Sequence, residues 1–406
     1  MRGRKADLTR RAACAGLLSV ALGGCGDGSG RGGVAGEAGT RDSAGVRIVE
    51  SAGNAAVAIW RVGPERLVEL GGPDAGFVNV ASALRTRNGF VAADAGTGEL
   101  RFYDAEGRQL HKAGGKGRGP GEFQYIGWIG MLPGDSLAAW DPLARRVSVF
   151  APGGAYARSF APAGLSGFFP VVYGAFADGS LLMSTGMEPA STPTSPGAHR
   201  DTMLLLRIGR TGEVVDTTGR FPGPSRYAAA GADGIQSTHS VPFGPVTSAV
   251  VHGDEVYVAT GERYEIAVHG ADGRLRRLIR HRTVPMPVTR RERGSYADNV
   301  LQAGGSPEEQ RARQALIRSA PFPRTMAPVQ SVRVDEGGNV WVREAQSPET
   351  WDRFSRWSVF GPDGRRIAEV EAPGRLSPRQ IDRDWLLGAK TDADGTERVL
   401  LYRLER

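Results

Sequence analysis

Cysteine is nearly absent from this 406-residue chain: only Cys14 and Cys25 occur. Everything after Cys25 therefore lacks a thiol, which excludes a disulfide framework or a thiolate metal site there. Histidine is scarce too. His111, His199, His239, His252, His269 and His281 show neither His-x-His nor His-Glu-x-x-His spacing, so the local sequence spells no metal motif. There is no Gly-x-Ser-x-Gly elbow and no α/β half to hold one, which removes that class of serine hydrolase. No apolar run approaches the ~20 residues of a membrane-spanning helix. Excess charge also disappears on inspection. The whole chain carries +7, but residues 1–24 hold five Lys or Arg against one Asp, leaving 46 basic and 43 acidic residues, a net of +3. So balanced a surface gives no electrostatic case for nucleic acid, whatever the pI.

What is present begins with Arg2, Arg4, Lys5, Arg10 and Arg11, then an apolar stretch from Ala12 to Leu22 and the small residues Gly23 and Gly24. A positive start, a short apolar run and a small-residue end describe a secretory signal rather than a fold element. Leu22-Gly23-Gly24-Cys25 resembles the lipobox of bacterial lipoproteins. That resemblance implies a signal over 1–24 and lipid attachment at Cys25; an ordinary signal cut nearby is the alternative. Thr9-Arg10-Arg11 hints at twin-arginine export. Residues 25–45 are rich in Gly and Ser and form the expected flexible tether. Gly26, standing where an Asp would signal inner-membrane retention, leans toward the outer membrane. The expected location is the bacterial cell envelope, at the outer membrane or the periplasmic face.

The remaining residues, 46–406, are organised by a repeat. Asp94 and Asp141, Tyr103 and Phe150, and Gly107 and Gly154 are each 47 residues apart, so one supersecondary unit is used twice. An alternating strand followed four residues later by a turn glycine recurs at Ile208 with Gly212, His269 with Gly273, and Phe360 with Gly364. Turn signals at Asn88-Gly89, Pro133-Gly134-Asp135, Asp178-Gly179, Gly253-Asp254 and Gly337-Gly338 precede another strand each. Two hairpins in succession make a four-stranded meander, which is a propeller blade. The expected fold is an all-β, six-bladed β-propeller. Five blades span roughly 78–113, 124–160, 169–220, 246–282 and 329–373. The sixth is shared between the chain ends, Arg66–Leu70 completing the sheet of Trp385–Ala389 and Arg398–Leu404. Residues 184–200 are expected as a surface loop. The insertion 283–328 is expected to contain one short helix, Glu308–Ser319, begun by the capping box Ser306-Pro307-Glu308-Glu309.

The Gly114–Phe123 run looks like a phosphate cradle but lacks the Gly-Lys-Ser/Thr ending and a following helix. Gly-x-Gly-x-Gly-x-Phe after Phe102-Tyr103-Asp104-Ala105-Glu106-Gly107-Arg108 is similar to the blade junctions of NHL repeats and of six-bladed propeller lipoproteins. The resemblance implies a channel or inter-blade loops that bind a partner, commonly a protein or carbohydrate. Lys116, Arg118 and Glu122, on this junction, are the candidate ligand contacts, with solvated loop charges as the bland reading. Asp94 and Asp141 offer a carboxylate pair but read more simply as turn formers. The tryptophans are expected to pack sheets, any facing a loop being free to stack on a sugar. The expected function is a membrane-anchored, monomeric binding or scaffolding module with no catalytic set, cofactor or metal. The alternatives are a metal-dependent lyase or lactonase-type propeller enzyme and a carbohydrate-binding protein.

Overall fold

Turn glycines set by the repeat shape each sheet. Gly107, Gly154, Gly212, Gly273 and Gly364 all adopt positive φ, between 72° and 106°. Each donates its amide to the carbonyl three residues back, beside a one-residue register shift between the third and fourth strands of a meander. That is the geometry of a glycine bulge, which adds twist where the strands splay. A side chain would not fit: a Cβ on Gly107 would lie 2.6 Å from Val68 Cγ1 and 2.8 Å from the Glu69 carbonyl.

The computed structural model describes residues 39–53, 55–72, 76–186, 197–230, 236–302, 306–392 and 395–406. The signal, Cys25, most of the tether and most of the 184–200 loop lie outside the described residues. Five hydrogen-bonded sheets result. Two are plain meanders: Val80–Thr86, Gly89–Asp94, Glu99–Tyr103 and Gln109–Gly114, then Trp128–Leu132, Ser136–Asp141, Arg146–Phe150 and Tyr156–Phe160. The third joins Val172–Ala175, Leu181–Ser184, His199–Ile208 and the long Val214–Ala230, whose end pairs with Gln236–Ser240. The fourth joins Ser248–His252, Glu255–Ala259, Glu265–Gly270 and Leu275–Arg282. Val46–Ala52 adds to its outer edge in parallel, and Gly39–Ser43 pairs with that strand. Gly39–Ser43 therefore corrects the tether boundary: the Ala44-Gly45 turn, both residues at positive φ, folds the segment back as a hairpin.

The fifth sheet has eight strands. Val329–Val334, Val340–Glu344, Phe354–Phe360 and Arg366–Pro373 form one half, and Leu376–Ile381, Trp385–Thr391 and Glu397–Glu405 lie in the other. Ala58–Glu69 stands between them. It pairs in parallel with Ala368–Glu371 through Ala58–Arg61 and antiparallel with Glu397–Glu405, Val68 opposite Leu401 and Arg66 opposite Tyr402. The two ends of the chain thus meet in one ladder.

Six apolar clusters lie between successive sheets. Sheets one and two share Leu100, Phe123 and Phe150, two and three Trp140 and Ile208, three and four Leu205 and Val258. Tyr257 and Phe360 join the fourth sheet to the first half of the fifth. Trp60, Trp341 and Leu400 lie between its halves, and Leu387 and Phe90 join the second half to sheet one. The packing order closes on itself. First strands of neighbouring sheets also touch, Val80–Thr86 meeting both Trp128–Leu132 and Leu376–Ile381, so the first strands surround a common axis.

The insertion holds two helices rather than one: α1, Arg290–Leu301, and α2, Pro307–Ser319. The second starts as expected from the Ser306/Glu309 capping box. The first starts from a second box, Thr289 with Glu292, behind a sequence whose polar residues and Gly294 hide any apolar period.

Deleting residues 397–406 should abolish cooperative unfolding in a far-UV circular dichroism melt, because it removes the strand that pairs Ala58–Glu69 with Trp385–Thr391. A sharp transition retained by the truncated chain would show that closure of the fifth sheet is dispensable.

Candidate functional site

Antiparallel meanders fix which loops share a side. In each, the loop between strands two and three and the connection leaving strand four lie together. The Gly114–Phe123 junction, the helical insertion and the Ala345–Arg353 segment therefore share one side. The expected contacts on the first of these are internally engaged. Lys116 Nζ donates to the carbonyls of Ala95 (2.9 Å) and Gln124 (3.1 Å), and Glu122 Oε2 accepts the Gly119 amide at 2.8 Å. The Arg118 carbonyl accepts from Arg146 Nη1 (3.2 Å), whose Nη2 reaches the carbonyls of Gly119 (2.9 Å) and Glu122 (2.7 Å). The Arg118 side chain itself is exposed. Asp94 and Asp141 are fully buried turn formers. Asp141 accepts the amides of Gln124, Tyr125, Leu143 and Ala144, and Asp94 accepts those of Val78, Asn79 and Gly96 together with Arg101 Nη2. Among the described residues no three His, Cys, Asp or Glu side chains gather to hold a metal ion.

A cavity forms where the insertion leans over the fifth sheet. The ends of the insertion are zipped, Val288 donating to Arg324 O and Met326 to Met286 O, both at 2.9 Å. Helix α1 docks through Arg291 and Ser295 on Glu349 and through Asn299 on the Pro348 carbonyl. This brings four aromatic rings from separate segments together. Phe243 lies 5.4 Å from Tyr296, 6.0 Å from Phe322 and 6.4 Å from Trp351, centroid to centroid. Phe243 sits at φ 60°, a left-handed conformation that costs a bulky residue about 1–3 kcal/mol. Its carbonyl is held by the Ala327 amide at 2.9 Å. The adjoining cavity, about 290 Å³, is lined by Phe243, Met326, Gln330, Arg343, Glu344, Ala345, Gln346 and Trp351. Glu344 is already engaged, accepting from Tyr264 (2.9 Å) and Ser358 (2.7 Å). Burial, with the Glu344 carboxylate behind it, holds the Tyr264 hydroxyl well above the ordinary phenol range.

Below the cavity, three guanidiniums meet. Ser331 pairs with Arg343 and Arg333 with Trp341, so Arg333 and Arg343 are diagonal neighbours on one face of the sheet. Arg333 Nε points to the Pro378 carbonyl at 3.5 Å, next to Arg379, and Nη1 donates to the Val332 carbonyl at 3.0 Å. Arg379 Nη2 donates to the Val80 carbonyl at 2.7 Å, while its Nε is buried with no hydrogen-bond partner. Burial, then Arg379 and Arg343, push Arg333 down to about 10. Burial also lowers Arg343 and Arg379. Sequence reading missed this trio because the diagonal relation of Arg333 and Arg343 depends on hairpin register, and Arg379 comes from a strand at the far edge of the same sheet.

No protein-family model matches the chain, and no curated protein matches it in sequence. Solved structures do match in shape. A putative exported protein from Bacteroides fragilis is 11% identical, with a TM-score of 0.50 over 88% of this chain and all of that one. A member of the DUF4221 family from Bacteroides vulgatus is 9% identical, with a TM-score of 0.45 over 86% of this chain and all of that one. Virginiamycin B lyase from Staphylococcus aureus is 9% identical, with a TM-score of 0.40 over 82% and 97%. At such identity the likeness concerns the fold alone: all-β and of the propeller type.

Replacing Arg333 with Met should raise Tm by roughly 1–3 °C near pH 7, since a buried cation without a countercharge opposes folding. The penalty is full while Arg333 is charged in the folded state and fades as pH climbs through about 10 toward the ordinary guanidinium range. The gain should therefore shrink in melts run above about pH 10. A lower Tm for the variant at neutral pH would contradict this electrostatic account.

Proposed function

We propose that the chain is an exported, lipid-anchored, six-bladed propeller that acts as a binding module, its ligand taken at the mouth beneath the helical insertion. The blade count treats the eight-stranded sheet as two four-stranded blades, the second completed by Ala58–Glu69. The cyclic order of six apolar clusters supports that count. Export and anchoring rest on the signal and Leu22-Gly23-Gly24-Cys25, and several acyl chains on one cysteine would make release slow. The exported neighbour agrees with that address. Its partners are then the membrane, through the lipid, and a carbohydrate or protein ligand.

The observation that carries the binding reading is the half-buried Trp351, which lines a cavity of about 290 Å³ with Phe243 and Arg343 and has Tyr296 against its ring. Such a site offers an apolar face and a charged rim, the usual make-up of a small-ligand pocket. The lyase or lactonase alternative is separated by elemental analysis of the purified protein: stoichiometric zinc or calcium would favour the enzyme.

Cys25→Ser should move the protein from the membrane to the soluble fraction, and unchanged partitioning in fractionated cells would remove the anchor. On a glycan and metabolite array, Trp351→Ala should lose at least about tenfold in affinity for whatever the parent protein retains. A variant binding as well as the parent would move the ligand site elsewhere.

A further inference from the structure

Many arginines in this protein pair with carboxylates: Arg101 with Asp94 and Glu99, Arg207 with Asp178, and Arg280 with Glu265. Arg333, Arg343 and Arg379 differ. None forms an ion pair among the described residues, and all three are largely buried, Arg333 and Arg379 on first strands and Arg343 on the strand beside Arg333. Of the carboxylates nearby, Glu344 accepts from Tyr264 and Ser358, and Glu397, which accepts the Val80 amide, acts on Arg379 from a distance without forming an ion pair with it. Tyr125 is the other group facing Arg379. Buried charges are ordinarily paired, and a donor buried without an acceptor, as Arg379 Nε is, costs free energy until something fills its place.

We infer that Arg333, Arg343 and Arg379 form the seat for the carboxylate or phosphate of a small one-ring organic anion, whose ring lies beside Trp351 in the adjoining cavity. The inference rests on the mouth being the ligand face and goes further by fixing the ligand's charge. Arg343 belongs to both parts, lining the cavity while sharing a sheet face with Arg333. Guanidinium forks suit planar carboxylates and phosphates alike, and two or three of them give bidentate contacts that a neutral hydroxyl cannot reproduce.

The test uses the full chain in detergent, with thermal shift and calorimetry. Inorganic phosphate should raise Tm beyond potassium chloride at matched ionic strength. Galacturonate or glucose 6-phosphate should bind at least about tenfold more tightly than the neutral sugars galactose and glucose, and whichever of the two binds identifies carboxylate or phosphate as the favoured group. Arg333→Gln and Arg379→Gln should each weaken the anion at least about tenfold, and the double variant should melt no lower than the parent while losing the phosphate effect. No phosphate-dependent rise in the parent, or a rise that survives in the double variant, overturns the proposal. Equal binding of acid and neutral sugar, lost on Trp351→Ala, would overturn the arginine seat alone and leave the mouth as the ligand face.

Discussion

The fold depends on one strand that has a different partner on each edge. Ala58–Glu69 pairs in parallel with Ala368–Glu371 and antiparallel with Glu397–Glu405, so it closes a sheet whose two halves come from distant sequence. A strand left unpaired would expose a row of amides and carbonyls; here both edges are used, in different stretches. The parallel pairing ends at Arg61, and the register of the antiparallel one slips between Val62 and Arg66. Pro64, which has no amide to donate, occupies that slip. Trp60 seals the joint from the core side, packed 5.8 Å from Trp341 and covered by the Arg406 guanidinium at 4.3 Å. Arg406 in turn bonds Asp335, which also accepts from Asn339 and Trp341. Because the six clusters follow one another in a cycle, opening this joint would uncover apolar faces on both sides of it.

Much of this was legible because backbone constraints are local. The 47-residue spacing survives in the structure as matching strands and bulges: Asp94 and Asp141 both end second strands and both tie amides of the preceding junction, and the glycine positions all require positive φ. Single-sequence reading fails where local pattern is silent. Val46–Ala52 joins a sheet formed some 230 residues later, and nothing in its own sequence names that partner. The continuation of Val214 through Ala230 and its return at Gln236–Ser240 lengthen a strand past the blade's expected end. Its far end receives α2, Tyr227 donating to the Leu316 carbonyl at 3.1 Å.

The site followed the same division. Lys116, Arg118 and Glu122 stand out in sequence because glycine surrounds them, yet glycine-rich backbone offers carbonyls and amides that the Lys116, Glu122 and Arg146 side chains satisfy. A conspicuous loop therefore became a self-contained one. Arg333, Arg343 and Arg379 carry no local signature. Their significance lies in register, a diagonal pair on one sheet face and a third arginine from the neighbouring inner strand, which exists only after the ring has closed.

Where a protein keeps strain indicates which features packing alone does not explain. The insertion is anchored by ordinary means, capping boxes at both helices and an ion pair between Arg291 and Glu349. It nonetheless holds Phe243 in a left-handed backbone conformation beside a cavity lined by Arg343, one of three buried guanidiniums that form no ion pair among the described residues. Each of these features costs stability, and neither helps close the ring, which is secured on the opposite edges of the same sheets. A strained aromatic wall and an uncompensated positive floor meet at Arg343, the single residue common to both. That coincidence is what a ligand carrying both a flat ring and negative charge would relieve, and it ties the two costs to one binding event.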